Sequence, residues 1–162
     1  MRFNYYAFKA IYLHEMDRFR RTLLQSLLSP VLSTSLYFIV FGSVIGGYVQ
    51  KIDGISYGSY IVPGLLMLTL LTQSISNTSF GIFFPKFNGT IYEILAAPIS
   101  TIEVVLAFVG AGATKTVIVG IMIFLTSMFF VDVEVKYPLL MIFLLLLVSF
   151  TFALFGFLIG LM

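Results

Sequence analysis

Lys115 is the one ionisable side chain set well inside an apolar stretch of this 162-residue chain. A charge at the bilayer centre costs at least about 2.5–3.5 kcal/mol on insertion scales, so such a residue is a candidate for contact with a substrate or a counter-charge. No acid inside an apolar stretch is available to pair with it. The stretch around it is about 28 residues long where roughly 20 suffice to cross a bilayer. Its first turns therefore have room to protrude, and Lys115 has the reach to snorkel to the headgroups. Gln73 and Asn77 form a second polar pair, four residues apart on one helix face, among Thr69, Thr72, Ser74, Ser76, Thr78 and Ser79. Buried amides and hydroxyls serve as interhelical hydrogen bonds worth about 0.6 kcal/mol each on average. The alternative is that Gln73, Asn77 and Lys115 line a translocation path.

Other chemistries are excluded by composition. There is no cysteine, which removes disulfides, thiolate catalysis and cysteine-ligated metals. The lone histidine, His14, has no second imidazole with which to share a metal. Asp53 and Asp132 fall between apolar stretches and His14 precedes the first, so no catalytic dyad forms at membrane depth. No Gly-x-x-x-x-Gly-Lys-(Ser/Thr) phosphate loop occurs, so the chain is not itself an ATP-hydrolysing enzyme. No catalytic residue, metal site or nucleic-acid partner is expected.

The elements that must carry these residues are membrane helices. Hydrophobic residues make up 60% of the chain and charged ones 10%, against about 25% charged in an ordinary soluble domain. The expected fold is an all-α integral membrane domain over residues 1–162 with about four spans. Residues 3–23 read as an amphipathic helix in contact with membrane lipids at the interface. Its stripe is Tyr5, Phe8, Tyr12, Met16, Phe19 and Leu23, and Asp17 stands four residues before Arg21 in the favourable pairing order. The first twenty residues lack the apolar core of a secretory signal. Spans are expected over 24–47 (with Pro30 inside), 60–84, 104–131 and 138–162. Arg2, Lys9, Arg18, Arg20 and Arg21 precede the first span, whereas the connections at 48–57 and 132–137 carry one lysine each, Lys51 and Lys136. This asymmetry predicts a cytoplasmic N-terminus. Gly42-x-x-x-Gly46, Gly156-x-x-x-Gly160 and the Gly110-Ala111-Gly112 run hint at close helix crossings.

Between the second and third spans lies the charged segment 85–103. Thr90-Ile91-Tyr92-Glu93 fits a capping box, and Ser100-Thr101-Ile102-Glu103 fits another. Gly89 permits a sharp entry to the first helix, and Pro98 stops it. About two turns remain, with Ile91, Ile94 and Leu95 expected on one side. This is either a docking helix held at the membrane surface or an amphipathic loop resting on headgroups.

With these residues in place, the chain resembles the ABC-2-type permeases of bacterial ABC exporters. The resemblance rests on Gly89-Thr90-Ile91-Tyr92-Glu93-Ile94-Leu95-Ala96-Ala97-Pro98-Ile99-Ser100, similar to the ending of that family's coupling helix. Tyr60-Ile61-Val62-Pro63-Gly64-Leu65 is similar to its opening of the second span. The family's frequent arginine before the coupling helix is absent, and Lys86 is the nearest basic residue. The resemblance implies six spans per subunit, of which this chain would hold four, stopping within the fourth. It implies a coupling helix that docks a separate ATP-binding subunit through Gly89, Thr90, Ile91, Glu93, Ile94, Leu95 and Pro98. ATP and magnesium would then bind in that partner, with no cofactor on this chain. It also implies a second permease copy, most simply a homodimer, and outward transport across a bacterial inner membrane. A channel or carrier working without ATP is the competing reading. It would call for intramembrane charge pairs or repeats with broken helices, which the sequence does not display.

Overall fold

The computed structural model describes residues 4–45, 56–131 and 135–162, all helix and connecting turns. Arg2, Gly46, the loop residues Lys51, Asp53 and Gly54, and the turn residues Asp132 to Glu134 lie outside the described residues. Helix α1 spans Tyr5–Arg21 and α2 spans Leu23–Tyr37, continuing as a π-helix over Phe38–Ile45. Helix α3 covers Tyr57–Phe87, α4 Ile91–Ala96, α5 Thr101–Phe130 and α6 Pro138–Leu161. Four of these segments are long and apolar enough to cross a membrane, giving an all-α integral membrane fold.

Local chemistry sets the boundaries. The Asn4 side chain accepts from the Ala7 N–H at 3.3 Å and so starts α1, whose last turn carries Arg18, Arg20 and Arg21. Cations there suit the carbonyl-rich end of a helix. At Thr22 the backbone leaves the helical region (φ −109°, ψ 18°) and α2 begins immediately. Within α2, Pro30 lacks an N–H and is buried, while Thr34 Oγ1 donates to its carbonyl at 2.7 Å. Helix α3 runs three residues beyond the expected Phe84, through Pro85 to Phe87. It stops at Gly89, whose φ of +79° is the left-handed conformation that ends many helices.

Helix α5 is the hub. Just over half of its apolar window (56%) is buried, against 28% for α3 and α6 and 17% for the first span, so α5 is the helix the others surround. One apolar cluster joins Ile82, Val104, Phe108, Val109, Ala153 and Phe157 at the end of the bundle near α4. A second, of Leu66, Leu70 and Leu145, fills the opposite half. Helices α3 and α6 run parallel and touch backbone to backbone. A Cβ placed on Gly156 would sit 2.5 Å from the Ile75 carbonyl oxygen, and one on Gly160 would sit 2.7 Å from that of Ser79. Ser74 Oγ donates to the Ser149 carbonyl at 2.6 Å along the same seam.

The α1 stripe is rotated from its expected position. Phe8, Ile11, Tyr12, Glu15 and Phe19 face inward, whereas Tyr5 is 60% exposed. Among the described residues Asp17 and Arg21 make no ion pair, and the α1 charges pair through Glu15 instead. This inward face lies along the first half of α5, the two helices running parallel.

Candidate functional site

Three polar ties fasten α1 to α5. Glu103 is almost wholly buried, and its Oε1 accepts from the Asn4 N–H at 2.5 Å. Its Oε2 accepts from the Ser100 N–H at 2.9 Å, which caps α5 as the Ser-x-x-Glu spacing predicts. One carboxylate thus satisfies the first turn of α5 and the start of α1 together. Tyr12 donates its hydroxyl proton to Thr114 Oγ1 at 3.0 Å. Lys115 Nζ meets Glu15 Oε2 at 2.7 Å, and Arg18 Nη1 lies 3.2 Å from Glu15 Oε1.

The last of these corrects the reading of Lys115 as a snorkelling side chain. Its side chain is 4% exposed and that of Glu15 is 3%, so the amine turns inward to an acid on α1. The counter-charge that no span supplies comes from the helix before the first span. Close approach makes this reach short, since Gly112 presses on Thr78 of α3 and Gly110 faces the Tyr12 ring. Glu15 was legible as a partner in one respect. It occupies the i+3 and i+4 position to Tyr12 and Ile11, an acid set into an apolar stripe.

Two hollows flank this ion cluster. On one side a cavity of about 450 Å³ lies between α1, the last turns of α3, and α4. Ile11, His14, Glu15, Phe84, Asn88 and Ile94 are among the residues lining it. On the other side a crevice of about 100 Å³ is lined by Arg18, Thr22, Ser26, Ser76, Asn77 and Lys115, with Phe19 and Phe80 beside them. Asn77 and Lys115 therefore share one hollow, but Gln73, half-buried one turn away, is not among its lining residues.

The surface segment divides its candidate residues between two faces. Ile91 and Ile94 pack on the apolar cluster of α3, α5 and α6, together with Ile99 after the helix. Leu95 does not share their side, being 65% exposed, and Tyr92 and Glu93 also face outward. Ala97 is extended (ψ 150°) ahead of Pro98, and α4 ends there after six residues.

The Thr90 capping box does not form. Thr90 itself adopts helical angles (φ −64°, ψ −18°), and its side chain makes no capping bond. The left-handed Gly89 has already turned the chain, so Thr90 begins the helix rather than standing before it. The exposed N–H groups are met by short-range backbone bonds, Tyr92 to the Gly89 carbonyl and Glu93 to that of Thr90, each at 3.2 Å.

The sequence that folds into this bundle around α5 matches a known family. The family model described as ABC-2 type transporter aligns with residues 6–162, and the chain belongs to that family. Among curated proteins it is similar to the inner membrane transport permease YadH of Escherichia coli (strain K12), at 38% identity over 135 residues. That alignment covers 83% of this chain and 53% of the relative. The YadH permeases of Escherichia coli O157:H7 and Shigella flexneri align to the same extent. The chain thus spans about half the length of the curated relatives it matches. No solved structure matches it.

Proposed function

We propose that this chain is part of the membrane permease of an ATP-driven exporter in a bacterial inner membrane, and that a separate ATP-binding subunit docks on α4. The observation that carries this reading is the division of α4 into two faces. Ile91 and Ile94 seat it on the transmembrane core, while Tyr92, Glu93 and Leu95 are presented outward. An apolar leucine and an aromatic ring held outward on α4, just ahead of the capped start of α5, form a docking surface of the kind a partner's groove accepts. Pro98 and the Glu103 cap tie that surface directly to the buried helix α5, so a push on α4 is carried into the core. Membership of the ABC-2 family supports the same partner. The excess of Lys9, Arg18, Arg20 and Arg21 ahead of the first span favours a cytoplasmic N-terminus, which puts α4 on the side where ATP is available. Two permease copies would pair, most simply as a homodimer, with ATP and magnesium held by the partner.

The test is co-purification of the complete membrane subunit with the ATP-binding protein encoded beside it. Leu95→Asp, which alters an exposed side chain and leaves the Ile91 and Ile94 contacts in place, is expected to abolish association. Glu93→Ala is expected to weaken it. Undiminished association of both variants, or no associated ATPase at all, would sink the reading in favour of a carrier that needs no ATP.

A further inference from the structure

We propose that the crevice between the α1–α2 junction, α3 and α5 binds a phosphate oxyanion at the membrane boundary, held by Lys115, Arg18 and the Asn77 side-chain amide. The first argument is an imbalance of charge. Glu15 carries one negative charge against two cations, Lys115 at 2.7 Å and Arg18 at 3.2 Å, and no acid is among the residues lining the crevice. The second is an imbalance of hydrogen bonding. A lysine amine has three N–H donors, of which Lys115 gives one to Glu15, and the Asn77 Nδ2 is buried with no partner. Glu15 Oε1 also lacks a hydrogen bond, but it faces Arg18 and is not among the lining residues. The unmet buried group of the lining itself is a donor, and a buried donor left unmet costs about 1–3 kcal/mol. What the crevice lacks is an acceptor, preferably a charged one.

Size and depth narrow the ligand. A hollow of about 100 Å³ has room for one tetrahedral oxyanion, since water itself takes about 30 Å³ per molecule. From Tyr57 at the far end of α3 to Asn77 is about 30 Å of helix at 1.5 Å per residue, the thickness of the hydrocarbon core. The crevice therefore opens at the level where α2 enters the bilayer, which is where phosphate headgroups lie. Arg20 and Arg21, both exposed, stand at the same junction and add the positive field that draws anionic groups to it. The exposed Phe80 ring beside the opening offers a wall for an acyl chain. The phosphate has two conceivable sources, a lipid phosphodiester or a free phosphate, and one experiment separates them.

Protein purified in phosphate-free maltoside would be titrated with phosphatidylglycerol, with diacylglycerol as the phosphate-free control, and bound lipid counted by native mass spectrometry. Phosphatidylglycerol is expected to bind at least about tenfold more tightly than diacylglycerol. Asn77→Leu and Arg18→Gln are each expected to cost about tenfold of that preference. Arg20→Gln, outside the crevice, should leave it within about twofold if the recognition is local rather than a general attraction to basic surface. Lys115→Met also removes a crevice cation but leaves Glu15 buried with Arg18 alone and endangers folding, so Asn77→Leu decides. Competition by millimolar inorganic phosphate identifies the oxyanion alone as the ligand. Binding that resists such competition identifies the lipid diester. Equal binding of the two lipids, or a preference unchanged in Asn77→Leu and Arg18→Gln, overturns the proposal. The assay contains no ATP-binding subunit, so its outcome is independent of the docking reading.

Discussion

The α3–α6 seam and the α1–α5 seam share a geometry, two helices running parallel in close contact, yet opposite chemistries hold them. Along α3–α6 the backbones meet at Gly156 and Gly160, and side chains add hydrogen bonds only to backbone carbonyls among the described residues, Ser74 to that of Ser149 and Lys86 to that of Leu161. Along α1–α5 the contact is made by Asn4 with Glu103, Tyr12 with Thr114 and Glu15 with Lys115. The difference follows from what each helix has to lose. Helices already in lipid gain little from burying more apolar surface, so close packing of small residues holds them. Helix α1 carries charges that have no place in hydrocarbon, and it docks only where each is answered. One seam depends on shape and the other on complementary polar groups.

Lys115→Met should break the polar seam most severely, because it strands Glu15 as a buried, half-answered charge. Loss of one member of a buried pair costs about 3–5 kcal/mol, to be read as a fall in unfolding free energy in detergent. The double change Glu15→Leu with Lys115→Met should recover most of that loss. A double variant as unstable as the single one would show that the seam does not rest on this pair. Gly156→Val attacks the shape-based seam by driving a side chain into the Ile75 backbone. About 1–3 kcal/mol is expected, and circular dichroism melts are a suitable readout because the chain has no tryptophan. Glu103→Ala should cost about 1–2 kcal/mol and, more tellingly, speed hydrogen exchange at both Asn4 and Ser100. Faster exchange at only one of them would separate the two halves of that clasp. Thr90→Ala should change stability by less than about 0.5 kcal/mol, because its hydroxyl caps nothing. A larger loss would restore the capping box that the backbone angles argue against.

These seams also mark where the sequence was legible. Unbroken apolar runs announce four spans, and Pro98 with Ser100-x-x-Glu103 announces an elbow between the second and third, because both signals are local. The Gly156-x-x-x-Gly160 spacing pointed to close packing but not to α3 as its partner. The Thr90 box failed on a neighbour, since Gly89 had already set the turn. Leu95 was assigned to the wrong side because a helix of six residues is too short for periodicity to fix its facing. Glu15 stands among seven other residues of the first twenty-one that are charged or histidine, and what distinguishes it is a lysine 100 residues away. No local pattern encodes that distance.

The same separation has a temporal side. A ribosome adding about 5–20 residues per second completes Lys115 roughly 5–20 s after Glu15. During that interval α1 has neither Lys115 nor Glu103 to receive it, and Glu15 must stay in contact with water. The amphipathic character of α1 suits this waiting period, in which a helix with an aromatic stripe rests on the membrane surface. Its attachment to α5 therefore waits on the synthesis of α5, and α1 takes its final place long after its own residues are joined.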